Sequence, residues 1–244
     1  MRVESLALHL RPRSMSEAAD LGIRLVQANA ASVWGTFAPV WALVALVALA
    51  SGAIAHWLPM LLLFWLKPWL DRTLLFVLSR AVFGTPTRLV DVWAAQRQVW
   101  WGGLWSSLTA RRLSPWRSYV QPALQLEGQR GAAWRARRKQ MLRGKHGAAL
   151  GMHLVFAHLE VLLLFGVAML AVLFAPGDDR LSVWGMVFQS EGALAAMASN
   201  AVYAGIVLLL EPFYVGTGFA MYLNRRVELE AWDVEQEFRL AFAA

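Results

Sequence analysis

The chain has 244 residues, of which 58% are apolar and only 16% charged, and it carries a formal net charge of +7. Soluble domains hold nearer a quarter charged residues, so this composition, with a mean hydropathy of +0.46, argues against an ordinary water-soluble domain. The absence of Cys excludes disulfides, iron–sulfur clusters and thiolate metal sites. The basic excess flanks apolar stretches, which points to an anionic lipid surface rather than nucleic acid.

Residues 1–32 read as an N-terminal amphipathic segment. Ser14-x-x-Glu17 fits a capping box, in which each side chain satisfies a backbone N–H at the helix start. Ala18, Leu21, Gly22, Leu25 and Val26 follow at helical spacing. This predicts a helix over 15–31 lying on the cytoplasmic membrane surface; the alternative is a plain extension of the first span. The first apolar run begins near Val33, much later than in a cleavable signal peptide.

Residues 33–83 read as a first membrane hairpin. Residues 33–50 hold no charge and suffice to span, running outward, with Ser51-Gly52 as an exterior turn. The stretch 54–83 is too long for one upright span: at ~1.5 Å per residue it measures roughly 45 Å against a ~30 Å core. Pro68 removes a backbone donor inside it, which predicts a kink or break. A crossing over 54–72 is expected, then a helix over 74–83 deflected along the inner surface.

Residues 84–146 form a Trp–Arg-rich region. Trp93, Trp100, Trp101, Trp105 and Trp116 stand among Arg88, Arg97, Arg111, Arg112 and Arg117, a pattern suited to a helix lying in the interface; a re-entrant hairpin is the alternative. Then come Arg130, Arg135, Arg137, Arg138, Lys139, Arg143 and Lys145, with no acid among them. Each basic residue near an anionic surface adds ~1 kcal/mol of attraction, so this basic surface reads first as a topology anchor.

The second hairpin covers 147–224, with a span over 147–175, an exterior turn at Pro176-Gly177-Asp178-Asp179, a short amphipathic segment over 181–191 and a return stretch over 192–224 interrupted at Pro212. Residues 225–244 are expected to form a cytoplasmic C-terminal helix, apolar at Val227, Ala231, Val234 and Phe238 and acidic at Glu228, Glu230, Asp233, Glu235 and Glu237. Of the 23 Lys and Arg residues, only Arg180 falls between the two long spans of this hairpin. That positive-inside pattern places both termini in the cytoplasm of a multi-pass bacterial inner-membrane protein. The expected fold is an all-α integral membrane protein: about four long, partly Pro-broken transmembrane helices, up to six helical membrane segments, and interfacial amphipathic helices.

Lys67, Asp71, Arg72, Glu160 and Glu211 are the charges expected at membrane depth. Such a charge costs ~2.5–3.5 kcal/mol on insertion scales, so these groups should pair or face a polar interior. Lys67 and Asp71 are spaced to meet on one helix face, and Glu160 or Glu211 is expected to pair with Lys67 or Arg72 across the bundle. Asn200, Tyr203, Glu211, Tyr214, Gly218 and Tyr222 share one narrow helical stripe that should face the bundle. Gly147-x-x-x-Gly151 and Gly216-x-x-x-Ala220 would allow close helix approach. His146, His153 and Glu160 stand seven apart, a rise of ~10.5 Å that keeps one ion from reaching two of them. No metal and no cofactor is expected. The deep polar groups read as interhelical glue, with an ion or proton path as the alternative.

The halves share a plan, with Lys67-Pro68-Trp69 matching Glu211-Pro212-Phe213, as in a parallel repeat. No H-E-x-x-H, G-x-S-x-G or P-loop signature occurs, so an enzyme is not expected.

Three stretches carry a resemblance: Leu10-Arg-Pro-Arg-Ser14 through Asp20-Leu-Gly22; Gln125-Leu-Glu-Gly128; and Glu211-Pro-Phe-Tyr214 through Gly218-Phe-Ala-Met-Tyr-Leu-Asn-Arg-Arg226 with Leu229-Glu-Ala-Trp-Asp233. The chain resembles an uncharacterised family of proteobacterial inner-membrane proteins encoded near MoxR-type ATPases, von Willebrand A proteins and a DUF4129 membrane protein. It is distantly similar to the membrane domain attached to some glycerophosphodiester phosphodiesterases, in the membrane portion alone. The family supplies no catalytic residues to carry over. The resemblance implies a scaffold or accessory subunit of an envelope-associated complex, contacting the lipid bilayer and other membrane proteins or a cytoplasmic ATPase. The basic 130–145 segment and the acidic 227–242 helix are the expected docking surfaces, for a partner or for each other. The alternative is a small transporter or lipid-handling protein using its Pro-broken helices.

Overall fold

The structure, a computed structural model, describes residues 13–109, 112–176, 184–185 and 193–230. The exterior turn beyond Pro176, most of the 181–191 segment, Arg111 and the C-terminal helix beyond Glu230 lie outside the described residues. Among those described, all regular structure is helical. In chain order the helices are α1 (Met15–Ala28), α2 (Ala30–Ala50), α3 (Leu58–Ala81), α4 (Leu89–Ala94), α5 (Leu104–Leu108), α6 (Arg117–Gln125), α7 (Gly131–Leu142), α8 (His146–Leu173) and α9 (Ala193–Glu230), with a π-helical turn at Arg97–Trp101 between α4 and α5.

Among the described residues, three helical stretches are long and apolar enough to cross a membrane: Ala30–Ala53, His146–Leu173 and Ala193–Glu230. This is a chain built for lipid. None of the most apolar window of α8 is buried within the protein, and Leu162, Phe165, Leu170 and Leu173 stand exposed. In water such a face would be costly, whereas lipid tails solvate it as well as Leu does. Helix α3 has 24 residues but carries Lys67, Asp71, Arg72 and Arg80.

The chain divides into two compact units, one of Met1–Phe37, Pro68–His153 and Pro212–Ala244, the other of Ala38–Lys67 and Leu154–Glu211. Two of the divisions fall directly before Pro68 and Pro212. Of the kink or break read from the sequence, the break does not occur: Pro68 lies inside α3 and Pro212 inside α9. Proline removes one N–H and crowds one turn, and a long apolar helix held on both sides retains its remaining hydrogen bonds. The separate helix over 74–83 is therefore the second half of α3.

In the first unit, Ser14 and Glu17 form the capping box, with the Glu17 amide donating to Ser14 Oγ at 3.2 Å and the Ser14 amide to Glu17 Oε2 at 3.1 Å. The α1 face of Ala18, Gly22 and Val26 is buried. A Cβ at Gly22 would stand 2.5 Å from the Gly216 carbonyl oxygen and 2.5 Å from Thr217 Cα, so α1 packs backbone to backbone on α9. This corrects the picture of an apolar face spent on the membrane surface. Only Asn29 separates α1 from α2, close to the alternative of one extended helix. No described residue comes within 4 Å of a Cβ built at Gly147 or Gly151; the close approaches are at Gly22, Gly216 and Gly218, the last against Ser118.

The Trp–Arg region is not one interfacial helix. It is α4, the π turn and α5, clasped by α3. Arg72 donates from Nε to Val99 O at 2.5 Å and from Nη2 to Gln98 O at 2.7 Å, and Trp69 Nε1 donates to Trp100 O at 2.9 Å. Trp100 Nε1 in turn donates to Thr73 Oγ1 at 2.9 Å. Three successive carbonyls of a tight turn thus find side-chain donors, which is what a helix interruption needs when buried.

In the second unit, Trp41 is buried and donates from Nε1 to Ala204 O at 2.9 Å, and the Asn200 amide donates to His56 O at 3.4 Å. These bonds tie α2 and the 51–57 turn to α9.

Candidate functional site

The second unit brings three charged side chains together. Lys67 on α3 places Nζ 2.6 Å from Glu160 Oε2 on α8 and 2.8 Å from Glu211 Oε2 on α9. The side chains of Lys67, Glu160 and Glu211 are 7%, 21% and 3% exposed. Lys67 thus meets both of the carboxylates named from the sequence, and the two residues preceding the prolines, Lys67 and Glu211, meet each other. Ammonium-to-carboxylate bonds of this length are charge-assisted and among the strongest in proteins. Three separate helices are pinned at one point by one cation shared between two anions.

In the first unit, Asp71 of α3 pairs with Arg117 at the start of α6. Arg117 Nε donates to Asp71 Oδ2 at 2.9 Å, with both side chains buried. The Arg117 guanidinium also lies 5.0 Å from the centroid of the Tyr214 ring, and the Tyr214 hydroxyl is 3.1 Å from His153 Nδ1. Arg72, the alternative to Lys67 in that reading, donates from its guanidinium to the Val99 and Gln98 carbonyls, while its own carbonyl accepts from Gln125 Nε2 at 2.8 Å. Five donors on one guanidinium suit several carbonyls at once. Arg117 is the residue the sequence reading missed. Its place in a Trp–Arg run suggested the interface, and only the fold carries it to Asp71.

A third cluster joins α7 to the end of α9. Arg137 bonds Glu127 at 2.8 Å and 2.9 Å through Nε and Nη2, and Nη2 also bonds Glu230. The Glu127 carboxylate and burial act in opposite senses on Arg137, and the carboxylate prevails, holding the guanidinium above its ordinary pKa. Arg226 bonds Glu230, Lys145 bonds Glu228 at 2.9 Å, and the Tyr222 hydroxyl donates to Glu127 Oε1 at 2.6 Å. Nearby, burial pushes the Tyr119 phenol up, so it stays neutral and donates to Met141 O at 2.9 Å. The basic segment and the described start of the acidic segment therefore dock on each other. Arg130, Arg135, Lys139 and Arg143 remain exposed, and Arg138 is half-buried; Arg138 lies 5.5 Å from the Trp116 ring and 5.8 Å from the Trp134 ring.

The stripe on α9 faces inward as expected: Asn200, Tyr203, Glu211, Tyr214 and Tyr222 are all buried. His153 and Glu160 have the different partners given above, and no group of three metal-ligating side chains occurs among the described residues. Comparison with protein-family models, curated proteins and solved structures finds no match to this chain.

Proposed function

We propose that this chain is a non-enzymatic polytopic inner-membrane protein that scaffolds an envelope-associated complex. In this reading four helices, α2, α3, α8 and α9, cross the bilayer, both termini are cytoplasmic, and α3 crosses because its charges are neutralised inside the protein. The observation that carries the proposal is the buried Lys67–Glu160–Glu211 cluster. Charges locked in direct contact act as glue between helices, and a rigid frame is what a scaffold requires. The resemblance to inner-membrane proteins encoded beside MoxR-type ATPases supports a cytoplasmic ATPase as the partner. Arg137 and Lys145 are engaged internally, which leaves the exposed Lys139 and Arg143 as the better docking cations. Affinity capture with cross-linking in native membranes tests this: wild type should retain a stoichiometric cytoplasmic partner that Lys139→Glu with Arg143→Glu loses. Equal capture by the variant, or no stoichiometric partner for wild type, would refute it.

One observation favours the second reading, a small transporter or lipid-handling protein. Two carboxylates share the Lys67 ammonium at close range between three helices, an arrangement suited to exchanging a proton or cation. Flux in reconstituted vesicles that disappears on Glu211→Gln would favour this reading over the scaffold.

A further inference from the structure

The first unit holds a cavity of about 440 Å³ lined by residues that include Ser107, Ser114, Arg117, Gln121, Arg135 and Arg138. That size lies within the usual range for small-molecule sites, about 300–1,000 Å³. The charged residues among those described in its lining are all cationic. Arg117 is matched by Asp71, whereas neither Arg135 nor Arg138 forms an ion pair with a described carboxylate. Arg138 is braced between Trp116 and Trp134, which fixes its guanidinium without neutralising it.

Two further polar atoms lack an explanation within the fold. Ser114 Oγ and Gln121 Nε2 are buried with no hydrogen-bond partner among the described residues, and both residues line the cavity. A buried donor left unmade is costly and implies a missing acceptor. Helix α7 begins at the cavity with Gly131, and its N-cap residue, Arg130, supplies no side-chain acceptor to the first-turn amides. Guanidiniums, a hydroxyl, a carboxamide and helix-start amides are all donors. They suit one chemistry, an oxygen-rich anion with several acceptors.

We infer that this cavity is a binding site for a phosphate-bearing ligand of net negative charge, with Arg135 and Arg138 supplying charge and Ser114 and Gln121 supplying neutral donors. The segment that contributes Ser107 also exposes Trp105, and Leu113 stands exposed beside Ser114 (81% and 77% exposed). Trp favours headgroup depth, so an anionic phospholipid headgroup is the favoured source of the phosphate. The inference does not depend on the scaffold reading, since a site of this kind serves a scaffold and a transporter equally.

Native mass spectrometry of the full chain in neutral detergent, titrated with phosphatidylglycerol or phosphatidylcholine, tests the site. Wild type should retain phosphatidylglycerol about tenfold more than phosphatidylcholine, and Arg135→Gln with Arg138→Gln should lower that retention about tenfold. Ser114→Ala, which removes a hydroxyl with no partner among the described residues, should lower it severalfold while the protein stays monodisperse. Arg24→Gln removes an exposed charge outside the cavity lining and should leave retention within about twofold. Inorganic phosphate that displaces phosphatidylglycerol at millimolar concentration would assign the same pocket to soluble phosphate compounds. Equal retention of the two lipids, an equal loss in Arg24→Gln, or full retention in both cavity variants would each overturn the assignment.

Discussion

Replacing Lys67 with Met is the sharpest perturbation of the buried charge cluster. It leaves the Glu160 and Glu211 carboxylates, 21% and 3% exposed, without the ammonium that both contact. Removing one partner of a buried ion pair costs about 3–5 kcal/mol, because the remaining charge stays desolvated. At about 2–4 °C per kcal/mol for a chain of this size, the melting temperature in detergent should fall by roughly 6–20 °C. The geometry predicts an ordering as well. Glu160→Gln keeps the contact between Lys67 and the more deeply buried Glu211, so it should cost no more than about 1 kcal/mol. Adding Glu160→Gln and Glu211→Gln to Lys67→Met removes the stranded charges and should restore at least half of the loss, as neutral replacements of buried ion pairs commonly do. Thermal unfolding followed by gel filtration of the detergent-solubilised protein reads all three. A Lys67→Met protein that melts with wild type, or a triple variant no better than the single, would refute the reasoning.

Other consequences follow from the packing. Gly22→Val must push α1 off the α9 backbone, because the atoms it meets at 2.5 Å are main-chain; a loss of about 1–3 kcal/mol is expected. Gly151→Val, with no described atom within 4 Å, should melt near wild type, and equal melting of both variants would contradict the α1–α9 contact. Arg72→Met strands the Val99 and Gln98 carbonyls, a local cost of about 1–3 kcal/mol. Amide exchange over 97–101 and tryptic cleavage at Arg97 should accelerate, and unchanged exchange would show that Arg72 does not hold the turn. Asp71→Asn removes the carboxylate bound by the buried Arg117 and should cost about 3–5 kcal/mol in the same melting assay, with a negligible change counting against that pair.

The pairing of Lys67 with Glu160 and Glu211 was legible because the rule behind it is strict: a charge in an apolar helix has few tolerable environments, and the sequence offers few opposite charges at comparable depth. The capping box at Ser14 and Glu17 was legible for a similar reason, since its partners are three residues apart. Opposite charge also anticipated the docking of α7 on the start of the acidic segment. What escaped was decided by contacts distant in sequence. Spacing alone marked Gly147 and Gly151 as a packing motif, yet a small-residue motif needs a facing backbone, and it is Gly22 that meets one at Gly216. The Trp–Arg run has the composition of an interfacial helix, but Trp69, Arg72 and Thr73 of α3 bond its π turn, and nothing local to 87–117 encodes that. Pro68 and Pro212 carry a local signal for a break that the surrounding helices override.

The central claim, that lipid solvates this chain with its basic face inside, is open to a direct measurement. The protein contains no Cys, so single introduced thiols report cleanly. A membrane-impermeant maleimide applied to intact spheroplasts should label Asp178→Cys at once, and Asp20→Cys and Lys139→Cys only after the membrane is opened. Labelling of Asp20→Cys or Lys139→Cys in sealed spheroplasts, or protection of Asp178→Cys, would contradict the account.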